Sequence, residues 1–581
     1  MLKYPASNDY VIHEMRWFNK TMIKNKKNFR ILLVYPNLPL MLVPPLSMAI
    51  FTKILKEKKH EVELFDTTPY IPEDVNSSPQ NRTIYLQARQ FSDEDDLGVS
   101  IKTNLLGDYK DKVFSYKPDL IIYSIVEDAF FKALKMMDAI KEYKCVKISG
   151  GVLPTADPEY LISKEQINFI ALGEGEVTLS AVAEAVKNKK SLNNIKGTWF
   201  KDASGKIHKN PKNQLVDINN SVPDYSLFDE KRFYRPMGGK IFKTIPIETY
   251  RGCPYKCTFC NSPMHNTQVI KEKIAHSFLR RKTIKNVRNE ILDLKNKYNP
   301  GFLYFVDDSF LARPRKEIFE FCDMYEEFKI PFWFNTRPEN CKADFLKRLK
   351  EVGSYRISFG VECGNPDFRQ KVLLRKPSNK EIVDSFKIIA ESGIAFSVNL
   401  IIGFPGETRD LTMETVDLVK KINGYDTITV SIFTPYRGTV LQKIAVKNGW
   451  LDKKHITVHT TSSSVLKMPP PYLNSKDIDG LMKTMPLYVY FSKTEWPNIR
   501  KAENDNDEGK KLLDHYSKIY KENFLKQTQS DKKILFNDTS DKQPTRAQNP
   551  NKNVNNNIDN NIEFTNKKMS ETELVLLTMQ N

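Results

Sequence analysis

From Phe29 onward the chain alternates short apolar runs with amphipathic stretches at helical spacing. Ile31–Tyr35 reads as a buried strand, Ser47–Lys58 as an amphipathic helix, and Glu61–Phe65 as a second strand followed by Asp66. After a polar insertion over about 70–110, Leu120–Ser124 is a third strand, introduced by the turn residues Lys117-Pro118-Asp119. Ala129–Tyr143 is helical by period, Val146–Ser149 is a strand ending in Gly150-Gly151, and Phe169–Leu172 a strand ending in Gly173-Glu174-Gly175-Glu176. Alternating strands and helices with glycines at the strand ends predict an open, Rossmann-like parallel sheet over 29–186, with ligands bound beyond its carboxyl edge.

Residues 187–245 are rich in Lys, Asn, Asp, Gly and Pro and read as a linker with a small hairpin around Gly197–Lys209. A second α/β series then begins: Ile247–Tyr250, Phe302–Val306, Phe332–Phe334, Arg356–Gly360, Ala395–Ile401 and Thr427–Phe433. Six such strands predict a partial (β/α)6 barrel over 246–450, its site also at the carboxyl ends. A helical, aromatic-rich C-terminal region follows over 451–526, including Tyr488-Val489-Tyr490-Phe491 and Trp496. The leader 1–28 is of uncertain order, and the Asn-rich tail 527–581 holds too few apolar side chains to fold.

Composition refines this picture at three points. With 40% hydrophobic and 11% aromatic residues in 581, most of the chain is globular and several domains are allowed. Residues 31–51 are long and apolar enough to suggest a membrane span, but Pro36, Pro39, Pro44 and Pro45 would break a helix where lipid cannot repair it. With no apolar signal core at the start, the reading is cytoplasmic, without a transmembrane segment. The net charge of +18 favours anionic partners in general; its densest stretch, Lys271–Arg288, reads as a solvated helix face, and no nucleic acid is expected.

The chemistry concentrates in one place. Seven cysteines are too few and too scattered for a disulfide framework, yet Cys253, Cys257 and Cys260 crowd into eight residues just after a predicted strand. Thiolates suit iron–sulfur clusters, and three on one tight loop leave the fourth iron of a cubane open for chemistry. The alternative is a zinc site completed by His265. Cys145, Cys322, Cys341 and Cys363 read as core or loop residues.

The triplet, with Phe259 before its third cysteine, resembles the signature of radical S-adenosylmethionine (SAM) enzymes. Four later segments are similar to the family's strand segments in order: Phe305-Val306-Asp307-Asp308-Ser309-Phe310, Ser358-Phe359-Gly360-Val361-Glu362-Cys363-Gly364, Ile401-Ile402-Gly403-Phe404-Pro405-Gly406-Glu407-Thr408, and Phe433-Thr434-Pro435-Tyr436-Arg437-Gly438-Thr439. The resemblance implies a 4Fe–4S cluster on Cys253, Cys257 and Cys260, with SAM on the open iron. It implies Glu362, Arg337 and Asp308 as contacts to the polar groups of SAM, Gly403 and Phe404 near its adenine, and Phe259 as a further SAM-binding residue. For Asp307 and Asp308 the plainer reading is helix capping.

An open sheet ahead of such a barrel resembles the cobalamin-binding domain of the cobalamin-dependent radical SAM family. The matching segments are Val43-Pro44-Pro45-Leu46-Ser47, Lys117-Pro118-Asp119 through Ser124, Gly150-Gly151 and Gly173-Glu174-Gly175-Glu176, which implicate Ser124, Gly150, Gly151 and Glu174 in cobalamin binding. The loop Tyr35–Pro45 has no histidine to serve as a lower cobalt ligand, and His60, on the polar approach to a strand, reads as solvent-exposed. The resemblance implies methyl transfer to an unactivated carbon of a small molecule or lipid, with flavodoxin or ferredoxin as electron donor. An oxidative cyclase or rearrangement enzyme, or a non-catalytic cobalamin or metal sensor, would use the same domains. Tyr250 and Tyr436 fall at strand ends, where aromatic core packing is the plainer role.

Overall fold

The computed structural model describes residues 29–38, 43–70, 85–87, 102–237, 240–457 and 463–525; the leader and the Asn-rich tail lie outside them. The described residues fall in two compact units. The first draws on residues 1–75, 98–232 and 267–280, the second on 76–97, 233–266 and 281–581.

The first unit is an open sheet of β1 (Arg30–Tyr35), β2 (Glu61–Asp66), β3 (Leu120–Ser124), β4 (Val146–Gly150), β5 (Phe169–Ala171), β6 (Thr198–Lys201) and β7 (Ile207–Lys209), in the order 2-1-3-4-5-6-7. Strand β1 lies between β2 and β3, and Ile31, Leu32, Leu33 and Val34 are all fully buried. A strand covered on both faces reads as a continuous apolar run, and this one does. The hairpin read in Gly197–Lys209 is β6 and β7, which continue the sheet antiparallel beyond β5. His60 departs from expectation: it is buried, its ring edge-on to Phe29 at 5.3 Å and its Nε2 3.2 Å from the Glu184 carboxylate. Desolvation pushes its pKa down.

In the second unit β8 (Tyr234–Met237), β9 (Lys240–Ile247), β10 (Phe302–Phe305), β11 (Phe332–Thr336), β12 (Ser354–Glu362), β13 (Ala395–Ile402) and β14 (Thr427–Ile432) lie in sequence order. β9 to β14 are parallel, with a helix after each, and curl into a half-barrel; β8 is antiparallel to β9. The α/β class and the partial barrel are as the sequence predicts. The C-terminal helices are Ser475–Tyr490, Trp496–Ala502 and Asp507–Asn523.

Strand alternation sorts the barrel faces. Phe359 packs on Phe386 of the helix Asn379–Ser392 (centroids 5.4 Å), and Phe305 on Phe321 of the helix Arg315–Tyr325 (5.3 Å), so these rows face the helices. The opposite rows (Tyr304; Trp333 and Asn335; Arg356, Ser358 and Glu362; Ser397 and Asn399; Thr429 and Ser431) face the lumen.

Two further expectations need correction. The first barrel strand ends at Ile247 rather than running through Tyr250, because the amides of Thr249 and Tyr250 turn away to donate to Asp307 Oδ1 at 2.7 and 3.1 Å. The basic stretch Lys271–Arg288 is not one solvated helix face. The helix Asn261–Lys271 ends there, a new helix Ile284–Tyr298 starts behind the Thr283 cap, and Lys282 is buried 2.6 Å from Glu290.

At the amino ends of the barrel strands, Arg356 and Asp426 form a buried bidentate pair, with Arg356 Nη2 2.6 Å from Asp426 Oδ1 and 2.7 Å from Thr427 Oγ1. Removing one partner strands a charge in the core, which typically costs about 3–5 kcal/mol. Asp426→Ala is therefore expected to lose about that much stability in denaturant unfolding, far from the carboxyl-end site.

Candidate active site

The cysteine loop leaves β9 through Gly252, whose φ of +97° few side chains tolerate. It is held at several points. Thr258 Oγ1 donates to Val372 O at 2.7 Å, Cys260 N to Cys257 O at 3.2 Å, and the Tyr255 hydroxyl to Asn340 Oδ1. Cys257 is buried and Cys253 and Cys260 half-buried, and all three are free thiols. Burial pushes Cys253 up to about 11 and Cys260 up to about 12; the charges of Asp308 and of neighbouring thiols add to both. Such thiols ionise only when a metal takes the proton's place.

No three His, Cys, Asp or Glu side chains among the described residues converge on a single-ion site. A zinc tetrahedron requires that convergence, whereas a cubane presents three separate irons to its thiolates. The donor set, three coupled thiols without an imidazole or carboxylate completing them, fits the cluster.

The other predicted residues gather around this loop to different degrees. Arg337, just after β11, places Nη2 2.7 Å from Cys257 Sγ and Nη1 3.2 Å from Glu339 Oε1, with Tyr255 under its guanidinium at 3.6 Å. Asp308 is near enough to Cys253 and Cys260 to act on both, and burial raises its own pKa. Glu362 ends β12 at a bulge with φ +69°, a strained value for a side-chain-bearing residue. Burial pushes its carboxyl up; Arg375, 3.7 Å away, and Arg337 oppose the shift.

Phe404 is fully buried, 5.6 Å from the ring of Phe259 and 5.5 Å from that of Phe433. Gly403 has φ +81°, and a Cβ there would come within 2.8 Å of Ile478. Tyr250 carries the Arg313 guanidinium 4.1 Å above its ring.

Two buried carboxylates near the site escaped sequence reasoning in their true roles. Asp307 caps no helix: besides the two amides it receives Thr249 Oγ1, and Arg313 Nη2 at 2.6 Å. Glu407 accepts from Gly403 N at 2.6 Å, Phe404 N at 3.0 Å and Thr412 Oγ1 at 3.2 Å, fixing the turn that seats Phe404. Its place in Gly403-Phe404-Pro405-Gly406-Glu407, three residues after an aromatic that must be seated, was the available signal.

Below the charged groups the lumen is polar. Trp333 Nε1 donates to Ser358 Oγ at 2.8 Å, Ser397 Oγ to Ser358 Oγ at 3.0 Å, and Asn335 Nδ2 to the Tyr304 hydroxyl at 3.0 Å. Tyr304 and Trp333 stack at 4.1 Å, with the Arg235 guanidinium 4.7 Å from the Trp333 ring. Asn399 pairs in register with Thr429 and Ile401 with Ser431. Among the described residues, the Asn399 amide nitrogen and the Thr429 and Ser431 hydroxyls donate to no side chain.

At the carboxyl edge of the first sheet, Ser124 lies beside Gly150, and Ile125 N donates to Gly150 O at 2.7 Å. Gly151 has φ +116°, and a Cβ there would meet Ile125 O at 2.6 Å. Phe131, Val152 and Val177, at the starts of the helices after β3, β4 and β5, are exposed. Glu174 is differently engaged: Arg280 grips both its oxygens at 2.6 and 2.8 Å, and Val216 N donates to it at 2.8 Å. Lys132, absent from the predicted set, donates to Asn37 O at 2.6 Å, and burial pushes it down to about 8.

Comparison with known proteins agrees with this geometry. Residues 247–419 match the family model of the Radical SAM superfamily. This part of the chain is a radical SAM domain, which uses SAM and a 4Fe–4S cluster. An uncharacterized methyltransferase of Pyrococcus horikoshii is 25% identical over 454 residues, covering 77% of this chain and 88% of the relative. The anaerobic magnesium-protoporphyrin IX monomethyl ester cyclase of Rubrivivax gelatinosus is 24% identical, covering 61% of this chain and 63% of the relative. The fold is similar to that of the radical SAM methyltransferase TsrM of Kitasatospora setae with cobalamin and a [4Fe-4S] cluster bound: TM-score 0.57, 13% identity, 85% of this chain and 99% of that one. No helix among the described residues is long and apolar enough to cross a membrane.

Burial pushes the Glu407 carboxyl from 4.5 to about 7, against the lowering effect of its amide and hydroxyl donors. A raised folded-state pKa means that the stabilisation is complete below pH 4.5 and is lost as pH rises through about 7. Glu407→Gln is expected to flatten the stability profile across that window; an unchanged slope in unfolding experiments would show that Glu407 is not its source.

Proposed function

We propose that this chain is a cobalamin-dependent radical SAM methyltransferase acting on a small polar molecule. The reading is carried by the loop of Cys253, Cys257 and Cys260, three coupled thiols seated at the carboxyl end of a half-barrel that matches the Radical SAM family model. When bound, the cluster and SAM supply a carbon radical that takes hydrogen from an unreactive carbon, and cobalamin supplies the methyl group.

The chain's own residues bind and orient. Asp308 and Glu362 hold the polar groups of SAM, while Gly403, Phe404 and Phe259 form the apolar seat for its adenine. Gly150 and Gly151 bring bare backbone to the cobalamin beside Ser124, and exposed Phe131, Val152 and Val177 offer an apolar rim on the same sheet edge. With Glu174 occupied by Arg280, it serves that edge by fixing the loop after β5. His60 is buried beneath Phe29, and Tyr35–Pro45 has no histidine, so neither would supply a ligand to a bound cobalamin.

The lumen argues for a hydrogen-bonding substrate over a lipid. An alkyl chain among Asn399, Thr429 and Ser431 would leave their donors unpaired, and each such loss costs about 1–3 kcal/mol. The enzyme works in a reducing cytoplasm with a one-electron donor of the flavodoxin or ferredoxin class.

Anaerobically reconstituted protein, supplied with reductant, SAM, cobalamin and polar metabolite extract, is expected to form 5′-deoxyadenosine and a product heavier by one methylene per turnover. Cys257→Ala should form neither; undiminished SAM cleavage in that variant would sink the reading. Loss of hydrogen with no added carbon would point instead to cyclase chemistry, as in the Rubrivivax relative's name. Absence of 5′-deoxyadenosine from fully loaded protein would point to a binding-only sensor.

A further inference from the structure

Arg337 is held in a way that leaves little of it for a substrate. Its Nη2 reaches Cys257 Sγ at 2.7 Å, its Nη1 reaches Glu339 at 3.2 Å, and the Tyr255 ring covers one face of the guanidinium at 3.6 Å. Tyr255 is in turn tied by its hydroxyl to Asn340. Residues 339 and 340 belong to the short turn directly after Arg337, so one local segment fixes both the cation and the ring beneath it. Arg337 and Cys257 are both buried.

We propose that Arg337 is a positioning residue for the cluster, whose N–H donation to the Cys257 thiolate raises the reduction potential, and that its role is not to grip the SAM carboxylate. The inference rests on the cluster reading above. A guanidinium keeps its charge in proteins, so Cys257 faces a permanent cation and a permanent donor. Adding one electron makes the cluster more negative by one charge. A buried cation hydrogen-bonded to one of its sulfurs favours that reduced state over the oxidised one, and more strongly than it would in water. Hydrogen bonds to the sulfurs are among the factors that set iron–sulfur potentials. The consequence is a cluster that a biological one-electron donor of low potential can reduce more completely.

The test is a potentiometric titration of anaerobically reconstituted full-length protein without SAM, followed by the electron paramagnetic resonance signal of the reduced cluster. Iron and sulfide are counted first. Arg337→Met is expected to lower the reduced-to-oxidised ratio at fixed potential at least tenfold, a midpoint shift of about 59 mV for a one-electron couple. Its equilibrium SAM binding should stay within about twofold of wild type. A wild-type midpoint in loaded Arg337→Met overturns the proposal, and a tenfold loss of SAM binding at that midpoint returns Arg337 to the carboxylate. Should the Met variant not load, Arg337→Lys and Arg337→Gln decide: the neutral Gln variant must titrate below the Lys variant, and equal midpoints overturn the proposal. Wild-type protein that takes up no iron would instead sink the cluster reading itself.

Discussion

The second unit is organised by the carboxylate of Asp307. Placed just beyond β10, it receives the amides of Thr249 and Tyr250, the Thr249 hydroxyl and the Arg313 guanidinium. These bonds pull the chain out of the sheet after Ile247 and set the direction in which the cysteine loop departs. Asp307 and Arg313 are both deeply buried, and burial moves their pKa values against ionisation, while each opposes the other's shift. Such a pair is expensive to assemble and more expensive to break. The loop inherits its position from that cost: once Thr249 and Tyr250 are fixed, Gly252 and the three thiols have few places to go.

Around this anchor the barrel is graded from floor to rim. The floor is aromatic: Tyr355 meets Phe242 and Phe302 edge-on, Phe242 and Phe302 lie tilted 4.9 Å apart, and Met237 packs with them. The middle is polar, built on the Trp333–Ser358–Ser397 bonds and the Tyr304–Asn335 contact. The rim holds Arg337, Glu362, Asp308 and the cysteines, where a cofactor would neutralise charge. Below the rim the charges are matched within the protein: Arg356 pairs with Asp426, and the Arg235 guanidinium lies over Trp333.

How much of this was legible in the sequence depends on whether the cause was local. Ile31–Tyr35 and Ala395–Ile401 announced themselves because buried parallel strands need unbroken or alternating apolar runs, and the cysteine spacing is itself the chemistry. The end of β9 was misplaced because its determinant, Asp307, lies 58 residues away. His60 looked exposed because neighbouring polar residues carry no word of Phe29 folding over it. Glu174 could not be known as the partner of Arg280, 106 positions on, and the basic run around Lys282 could not reveal that this lysine is buried against Glu290. Arg337 was read as a contact to SAM, and only geometry joins it to a sulfur.

The grading of the lumen separates two kinds of change. Asn399, Thr429 and Ser431 are lumen side chains of β13 and β14, whereas the cysteine loop is tied to segments beyond the strands: Asn340 after β11, Val372 after β12 and Leu441 after β14. A lineage could therefore exchange one substrate for another by replacing small polar side chains on the last two strands, leaving the radical-generating end untouched. The half-barrel in this sense has a conservative rim and a permissive wall, and divergence within the fold would be read along the lumen rows of β13 and β14 first.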